Sequence, residues 1–98
     1  MRSNRIVEDA FCKFAMWKKS RTVLNLAILT NFGMPDIWVG SITSVDEQQD
    51  LVEFADDATG DSRTLDLGGA SFTTTERLVE VTRALEESRI VFKEGLVS

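Results

Sequence analysis

The side chains that most often carry out acid–base or nucleophilic chemistry are scarce in this sequence. It contains no histidine and no tyrosine, and its single cysteine, Cys12, has no plausible base partner. Nucleophilic and general acid–base catalysis require such a partner within hydrogen-bond reach of the reacting group. The sequence therefore predicts a protein that is not an enzyme and that uses no cofactor.

Carboxylate pairs are present, at Asp56 and Asp57 and at Asp46 and Asp50. Asp56, Asp57 and Asp61 could together hold a hard cation such as Ca²⁺, which prefers oxygen ligands. Their spacing does not match the EF-hand loop, in which glycine follows the acidic positions. We therefore interpret these carboxylates as solvated turn residues and predict no metal site.

The net charge of −5 is unevenly distributed along the chain. Residues 1–21 hold six of the eleven basic residues against two acidic ones, a local balance of +4. Residues 36–66 hold nine acidic residues against Arg63 alone, a balance of −8. Because a phosphate backbone is bound mainly through Lys and Arg, only the N-terminal segment could contact nucleic acid. The candidate contact residues there are Lys13, Lys18, Lys19 and Arg21, and the alternative is that they form a solvated helix face.

The chain length of 98 residues fits a single domain over residues 1–98, because a second hydrophobic core would be too small to be stable. Cys12 cannot form an internal disulfide and has apolar neighbours, which favours a buried, reduced thiol in a cytoplasmic protein. The longest apolar runs, such as Leu26–Leu29, are far too short to span a membrane. We therefore expect a cytoplasmic protein without a membrane partner.

Apolar spacing near the N-terminus predicts a helix over about residues 4–19. The residues that recur at intervals of three and four are Ile6, Val7, Ala10, Phe11, Phe14 and Trp17. Residues 22–74 then change to β-branched and aliphatic runs separated by turn residues, which predicts five strands. These strands are expected over residues 22–32, 37–45, 51–55, 63–67 and 70–74. Gly40, inside the second run, indicates a bend or a close backbone approach, as at the corner of a small barrel.

The C-terminal part is predicted to contain a second helix over about residues 75–88. Thr73 and Glu76 have the spacing of a capping box. The apolar residues that follow keep helical spacing: Leu78, Val81 and Leu85. Ile90–Phe92 could continue this helix or form an edge strand. Short strands joined by tight turns favour a meander closed into a barrel, since closure removes exposed edges. The predicted fold is therefore mainly β: a small five-stranded antiparallel barrel with an N-terminal and a C-terminal helix.

The stretch Trp38–Phe54 resembles the first sequence signature of the Sm and LSm proteins, the family to which Hfq is related. The positions that agree in register are Trp38, Gly40, Ile42, Val45, Asp46 and Leu51, with Val52 and Phe54 continuing the apolar pattern. Residues 67–72 (L-G-G-A-S-F) resemble a degenerate form of the second signature of the family. The resemblance implies an Sm-like, SH3-like barrel over about residues 22–74. Another small SH3-like barrel is the alternative.

The resemblance also implies where the base pocket of the family would lie, at Asp46, Asp50, Gly68 and Gly69. Asp50 stands where the family has Asn, and Gly68 stands where it has Arg. A carboxylate repels phosphate, and glycine has no side chain with which to stack or donate. The usual uridine pocket is therefore not expected to be intact. Since neighbouring subunits of the family pair their fourth and fifth strands into a ring, the resemblance also implies a homo-oligomer.

Three functional hypotheses follow. The first is a divergent Sm-like interaction or scaffold module that self-associates and whose RNA-base pocket is altered. The second is an RNA-binding Sm-like protein that uses its basic N-terminal helix face. The third is a monomeric SH3-like adaptor that binds a protein partner. An enzyme is the least favoured class.

Overall fold

The structure is a computed structural model that describes residues 5–30, 33–83 and 88–95. These residues form one helix followed by seven strands, which pair into a single antiparallel sheet in the order β4-β3-β2-β1-β7-β6-β5. The elements are α1 (Arg5–Ser20), β1 (Leu24–Thr30), β2 (Asp36–Asp46), β3 (Leu51–Asp56), β4 (Ser62–Asp66), β5 (Ser71–Thr74), β6 (Leu78–Arg83) and β7 (Ser88–Glu94).

Helix α1 forms because its apolar residues fall on one face that the sheet can cover. The buried residues on this face are Ala10, Phe11, Phe14 and Trp17. Glu8 lies in the first turn, and Lys18 and Lys19 lie in the last, the arrangement of charge that the helix dipole favours. The helix predicted over residues 4–19 is thus confirmed.

The core lies between α1 and the inner face of the sheet, and α1 contacts both β2 and β5. Side chains alternate along each strand, so that every second residue points to this inner face. In β1, for example, Leu24, Leu26 and Ile28 are buried. The ring of Phe14 on α1 lies 4.8 Å, centroid to centroid, from the ring of Phe92 on β7, at the centre of the packing.

The five strands predicted between residues 22 and 74 are present as β1–β5, but the predicted closed five-stranded barrel is wrong. The sheet is open and has seven strands, with β4 and β5 at its two edges. The reason is that β1 pairs with β7 and not with β5. The β5–β6 hairpin then extends the sheet on the far side of β7, because β6 pairs with β7. Strand β6, which was not predicted, and strand β7, which was one of two alternatives for Ile90–Phe92, therefore occupy the position where closure was expected.

The helix predicted over residues 75–88 is wrong for the residues that the structure describes. Residues 78–83 form β6, which pairs with β7, and Leu85 lies outside the described residues. In β6 the buried side chains are Val79 and Val81, which alternate in the strand pattern L-V-E-V-T-R. Two β-branched residues at this spacing favour a strand, and this signal outweighs the helical spacing of Leu78 and Val81. Ile90–Phe92, for which two structures were open, lies in strand β7.

Gly40 is needed because two backbones approach closely at β2 and β3. A Cβ atom placed on Gly40 would overlap the carbonyl oxygen of Ala55 on the neighbouring strand. Gly40 is itself buried and pairs with Asp56 and Leu24 on its two sides. The interpretation of this glycine as a point of close approach in a curved sheet is confirmed.

Candidate functional site

A groove of about 620 Å³ runs between the exposed side of α1 and the end of β2 with its following turn. We call it the helix groove. Its lining residues are Glu8, Phe11, Cys12, Ala15, Lys18 and Lys19 from α1, with Val45 and Glu47 from the β2–β3 segment. A smaller depression lined by Val7, Glu8, Glu47 and Gln48 continues it.

The helix groove has opposite charges at its two ends. Glu8 and Glu47 lie together at one end, where both also line the smaller depression. Lys18 and Lys19 lie in the last turn of α1, at the other end. Between them the floor is provided by Phe11, Ala15 and Val45, all without charge. The groove therefore suits a ligand that is apolar in the middle and oppositely charged at its ends.

Cys12 lines the helix groove, and the expectation that its thiol would be buried is wrong. Its neighbours in sequence, Phe11 and Phe14, do point into the core. Cys12 lies on the opposite side of the helix, as Glu8 and Ala15 do at positions i−4 and i+3. A run of apolar neighbours in a helix thus did not establish on which face the cysteine would fall.

The four basic residues predicted to contact nucleic acid do not share one environment. Lys13 is mostly covered: its side chain is 16% exposed, with Nζ 4.0 Å from Oε2 of Glu94 and 5.5 Å from the centre of the Trp17 ring. Lys18 and Lys19 are exposed and border the helix groove. Arg21 is exposed just after the helix, where its backbone has a positive φ of 54°. The structure therefore groups Lys18 and Lys19 at the groove and holds Lys13 against the core.

The positions that correspond to the base pocket of the Sm family lie in two neighbouring turns. Asp50 ends the β2–β3 turn with a positive φ of 56°, a conformation that Asp and Asn tolerate better than most residues. Its carbonyl oxygen accepts a 2.8 Å hydrogen bond from the amide of Leu67. A Cβ atom on Gly68 would lie 3.8 Å from Oδ2 of Asp50 and 3.2 Å from Oδ1 of Asp66. Asp50 and Gly68 are thus brought together, although they are far apart in sequence.

The other two positions of this set have structural roles in the same turns. Asp46 accepts hydrogen bonds through Oδ1 from the amides of Gln48, at 3.1 Å, and Gln49, at 3.2 Å. Gly69 has a positive φ of 73°. The side chains nearest to Gly68 are the carboxylates of Asp50 and Asp66, and Asp50 is only 7% exposed. Arg83 also reaches this cluster, where its Nη1 donates a 3.3 Å hydrogen bond to the carbonyl oxygen of Asp66. The arrangement offers no cationic or aromatic group with which to hold a nucleobase among these four residues.

A second surface lies on the outer face of the sheet, which α1 does not cover. Ile37 is 62% exposed and Val39 is 43% exposed on β2. In the paired register Ala27 lies between Ile37 and Val91, and Leu29 is two residues further along β1. We call these five residues, Ala27, Leu29, Ile37, Val39 and Val91, the outer apolar face. The sequence signal for it was the run Ile37–Val39, which is apolar on both sides of the strand.

The rim of the outer apolar face carries both signs of charge. Arg89 pairs with Leu29 in register, and Glu80 pairs with Val91. Arg89 Nη1 and Glu80 Oε2 are 3.8 Å apart and both partly exposed. Lys93 completes the rim beside Asn25. An apolar centre with a polar and charged rim is the usual anatomy of a protein–protein interface.

A half-buried aromatic–cation pair joins the start of β2 to β4 on the inner side of the sheet. The guanidinium of Arg63 lies 5.5 Å from the centre of the Trp38 ring. The carboxylate of Asp36 binds both side chains: it accepts a hydrogen bond of 3.0 Å from Trp38 Nε1 and one of 2.9 Å from Arg63 Nη1. Trp38 packs against the buried core residues but stays half-buried.

Within the described ranges, no group of three or more His, Cys, Asp or Glu side chains is placed to hold a metal ion. No helix in the described part of the chain is long and apolar enough to cross a membrane. Comparisons of the sequence and structure with protein-family models, curated proteins and solved structures find no match. The functional argument therefore depends on the two surfaces described above.

Proposed function

We propose that this protein is a non-catalytic, self-associating interaction module whose copies meet through the outer apolar face. The observation that carries the proposal is the exposure of Ile37 and Val39, 62% and 43%, on a strand face that nothing in the chain covers among the described residues. Contiguous exposed apolar side chains mark interaction surfaces more often than isolated ones do. Here the exposed Ile37 and Val39 adjoin the half-buried Ala27, Leu29 and Val91 on three adjacent strands.

A second copy of the chain is the partner that this face suits. In a two-fold symmetric interface the same patch is used by both copies, so it must be complementary to itself. The rim of the outer apolar face carries Glu80 on one side and Arg89 and Lys93 nearby. Because both signs are present, two copies can face each other with opposite charges at the edge of an apolar centre.

The proposal includes a divergent Sm-like origin for the first part of the fold. It is supported by the helix that precedes β1, by the β1–β4 meander and by the proximity of Asp50 and Gly68. The carboxylates at this point favour the scaffold over RNA binding, because they repel phosphate. The position of Lys13 against Trp17 and Glu94 also leaves fewer free cations on the helix for RNA.

A reducing compartment such as the cytoplasm is the setting that we propose. Cys12 is a free and exposed thiol, and exposed thiols stay reduced in the cytoplasm. The lack of a plausible base beside it, together with the lack of histidine and tyrosine in the sequence, supports a role without catalysis.

The test is the absolute mass of the purified protein, measured by light scattering coupled to size exclusion, with the nucleic-acid absorbance recorded alongside. We expect a mass of at least twice the 10.9 kDa of one chain, without excess nucleic-acid absorbance. A concentration-independent monomer would contradict self-association. Copurified nucleic acid would move the RNA-binding hypothesis ahead of the scaffold.

A further inference from the structure

We propose that the helix groove binds an extended segment of a partner protein that has a basic residue at one end, an acidic residue at the other and apolar residues between. This surface borders α1, whereas the proposed self-association uses the uncovered outer face of the sheet. The inference therefore adds a second partner and does not depend on whether the protein self-associates.

The length of the groove defines the size of the segment. Glu8 and Lys19 lie about 16 Å apart along α1, since an α-helix rises about 1.5 Å per residue. An extended chain rises about 3.3 Å per residue, so about five residues reach from one charged end to the other. The groove volume of about 620 Å³ lies within the range of volumes that is typical of ligand-binding pockets, about 300–1,000 Å³.

The charges define the ends of the segment. Glu8 and Glu47 come from different elements and meet at one end, where a Lys or Arg of the partner would face two carboxylates. Lys18 and Lys19 stand at the other end, where they would face an acidic residue or a C-terminal carboxylate. Complementary charges of this kind select partners and fix the direction in which a segment binds.

The floor explains why the middle of the segment should be apolar. Ala15 and Val45 give the groove its accessible apolar surface, since Phe11 lines it but is buried in the core. Ala15 and Cys12 are also small enough for a partner backbone to approach α1 closely. Removing apolar surface from water supplies most of the favourable free energy in such contacts. A nucleic acid fits poorly, because Glu8 and Glu47 would repel its phosphates at one end.

The experiment is a selection from a phage-displayed library of random dodecapeptides on the immobilised full-length chain. We expect enriched peptides to carry Lys or Arg and Asp or Glu about five residues apart, with apolar residues between. Synthetic copies of these peptides should slow the alkylation of Cys12 by iodoacetamide at least several-fold, because the thiol lies in the groove. They should also bind at least tenfold more weakly to Glu47→Lys and to Lys19→Glu.

Two matched variants, Glu76→Lys and Arg77→Glu, make the same charge changes at exposed positions in the β5–β6 turn. We expect these controls to bind the peptides like the unmodified chain, and unchanged thermal unfolding would show that all four variants fold. Three outcomes would overturn the proposal: no enriched pattern, enriched peptides that leave Cys12 alkylation unchanged, or equal loss of binding in the control variants. Loss of self-association on Cys12 alkylation would also overturn it, since the occupant would then be a second copy.

Discussion

Trp17 Nε1 donates a hydrogen bond of 2.9 Å to Oε2 of Glu94, which joins two residues that are 77 positions apart in the sequence. Lys13 lies within 4.0 Å of the same carboxylate oxygen and over the Trp17 ring. The contact fastens the end of α1 to the end of the last strand, next to the backbone hydrogen bond from Gly95 to Val23. The first and last elements of the domain therefore stabilise each other directly.

Substitution Trp17→Phe tests this connection. It keeps an aromatic ring in the core but leaves the partly buried Glu94 carboxylate without its indole donor. Hydrogen bonds to charged groups contribute about 1.5–3 kcal/mol, so we expect a loss of about 2 kcal/mol in the free energy of unfolding, measured by urea denaturation. The matched control is Trp38→Phe, which removes an exposed hydrogen bond to Asp36 and should cost less than half as much. Equal losses would contradict the structural role of the Trp17–Glu94 contact.

Substitution Gly40→Ala tests the close approach of β2 and β3. The added methyl group would overlap the Ala55 carbonyl, which belongs to a paired backbone and cannot move aside alone. Overpacking of a tight interior contact costs about 1–3 kcal/mol and occasionally more, so we expect a loss of about 3 kcal/mol. Circular dichroism during urea unfolding measures it. The control Gly68→Ala meets only carboxylate side chains at 3.2 Å or more and should lose much less. A stable Gly40→Ala protein would mean that the strands do not approach as described.

Alanine substitutions at Val79 and Leu78 distinguish strand β6 from the helix that the spacing predicted. Val79 is fully buried opposite Phe92, whereas Leu78 is only half-buried. We expect Val79→Ala to cost about 2 kcal/mol, since it removes buried methyl groups and leaves a cavity. Leu78→Ala should cost less than half of that, although it removes more atoms. A larger loss at Leu78, seen in the same urea titration, would favour a helix.

Substitution Ile37→Lys tests the outer apolar face. It places a charge within the proposed interface while the side chain is already 62% exposed in one chain, so folding should be little affected. We expect the mass measured by light scattering to fall to that of a single chain, because an unpaired charge in an apolar interface is costly to desolvate. The control Thr64→Lys adds the same charge to exposed edge strand β4 and should leave the mass unchanged. Self-association that survives Ile37→Lys but fails with Thr64→Lys would indicate pairing through the sheet edges instead.

The elements whose signal is local follow from the sequence alone. The apolar stripe from Ile6 to Trp17 is sufficient to specify α1, because its 3.6-residue period has no competing interpretation. The strands up to residue 74 were predicted close to their bounds, because β-branched runs and turn residues alternate there without ambiguity. The role of Gly40 could also be predicted, since a glycine inside a strand often marks a bend or a close approach of two backbones.

The strand pairings and the face on which each side chain lies depend on contacts between residues that are distant in sequence, so they follow from the tertiary packing. Leu78 and Val81 keep a helical spacing, but burial of Val79 against Phe92 across the sheet stabilises a strand instead. Because residues 78–83 form a strand and not a helix, β7 lies beside β1 and the sheet is open. No local sequence pattern could show this arrangement. In the same way, the exposure of Cys12 and the juxtaposition of Asp50 with Gly68 follow from how α1 and two turns are placed. Burial is a property of the assembled core, so a side chain's neighbours in sequence do not establish whether it is covered.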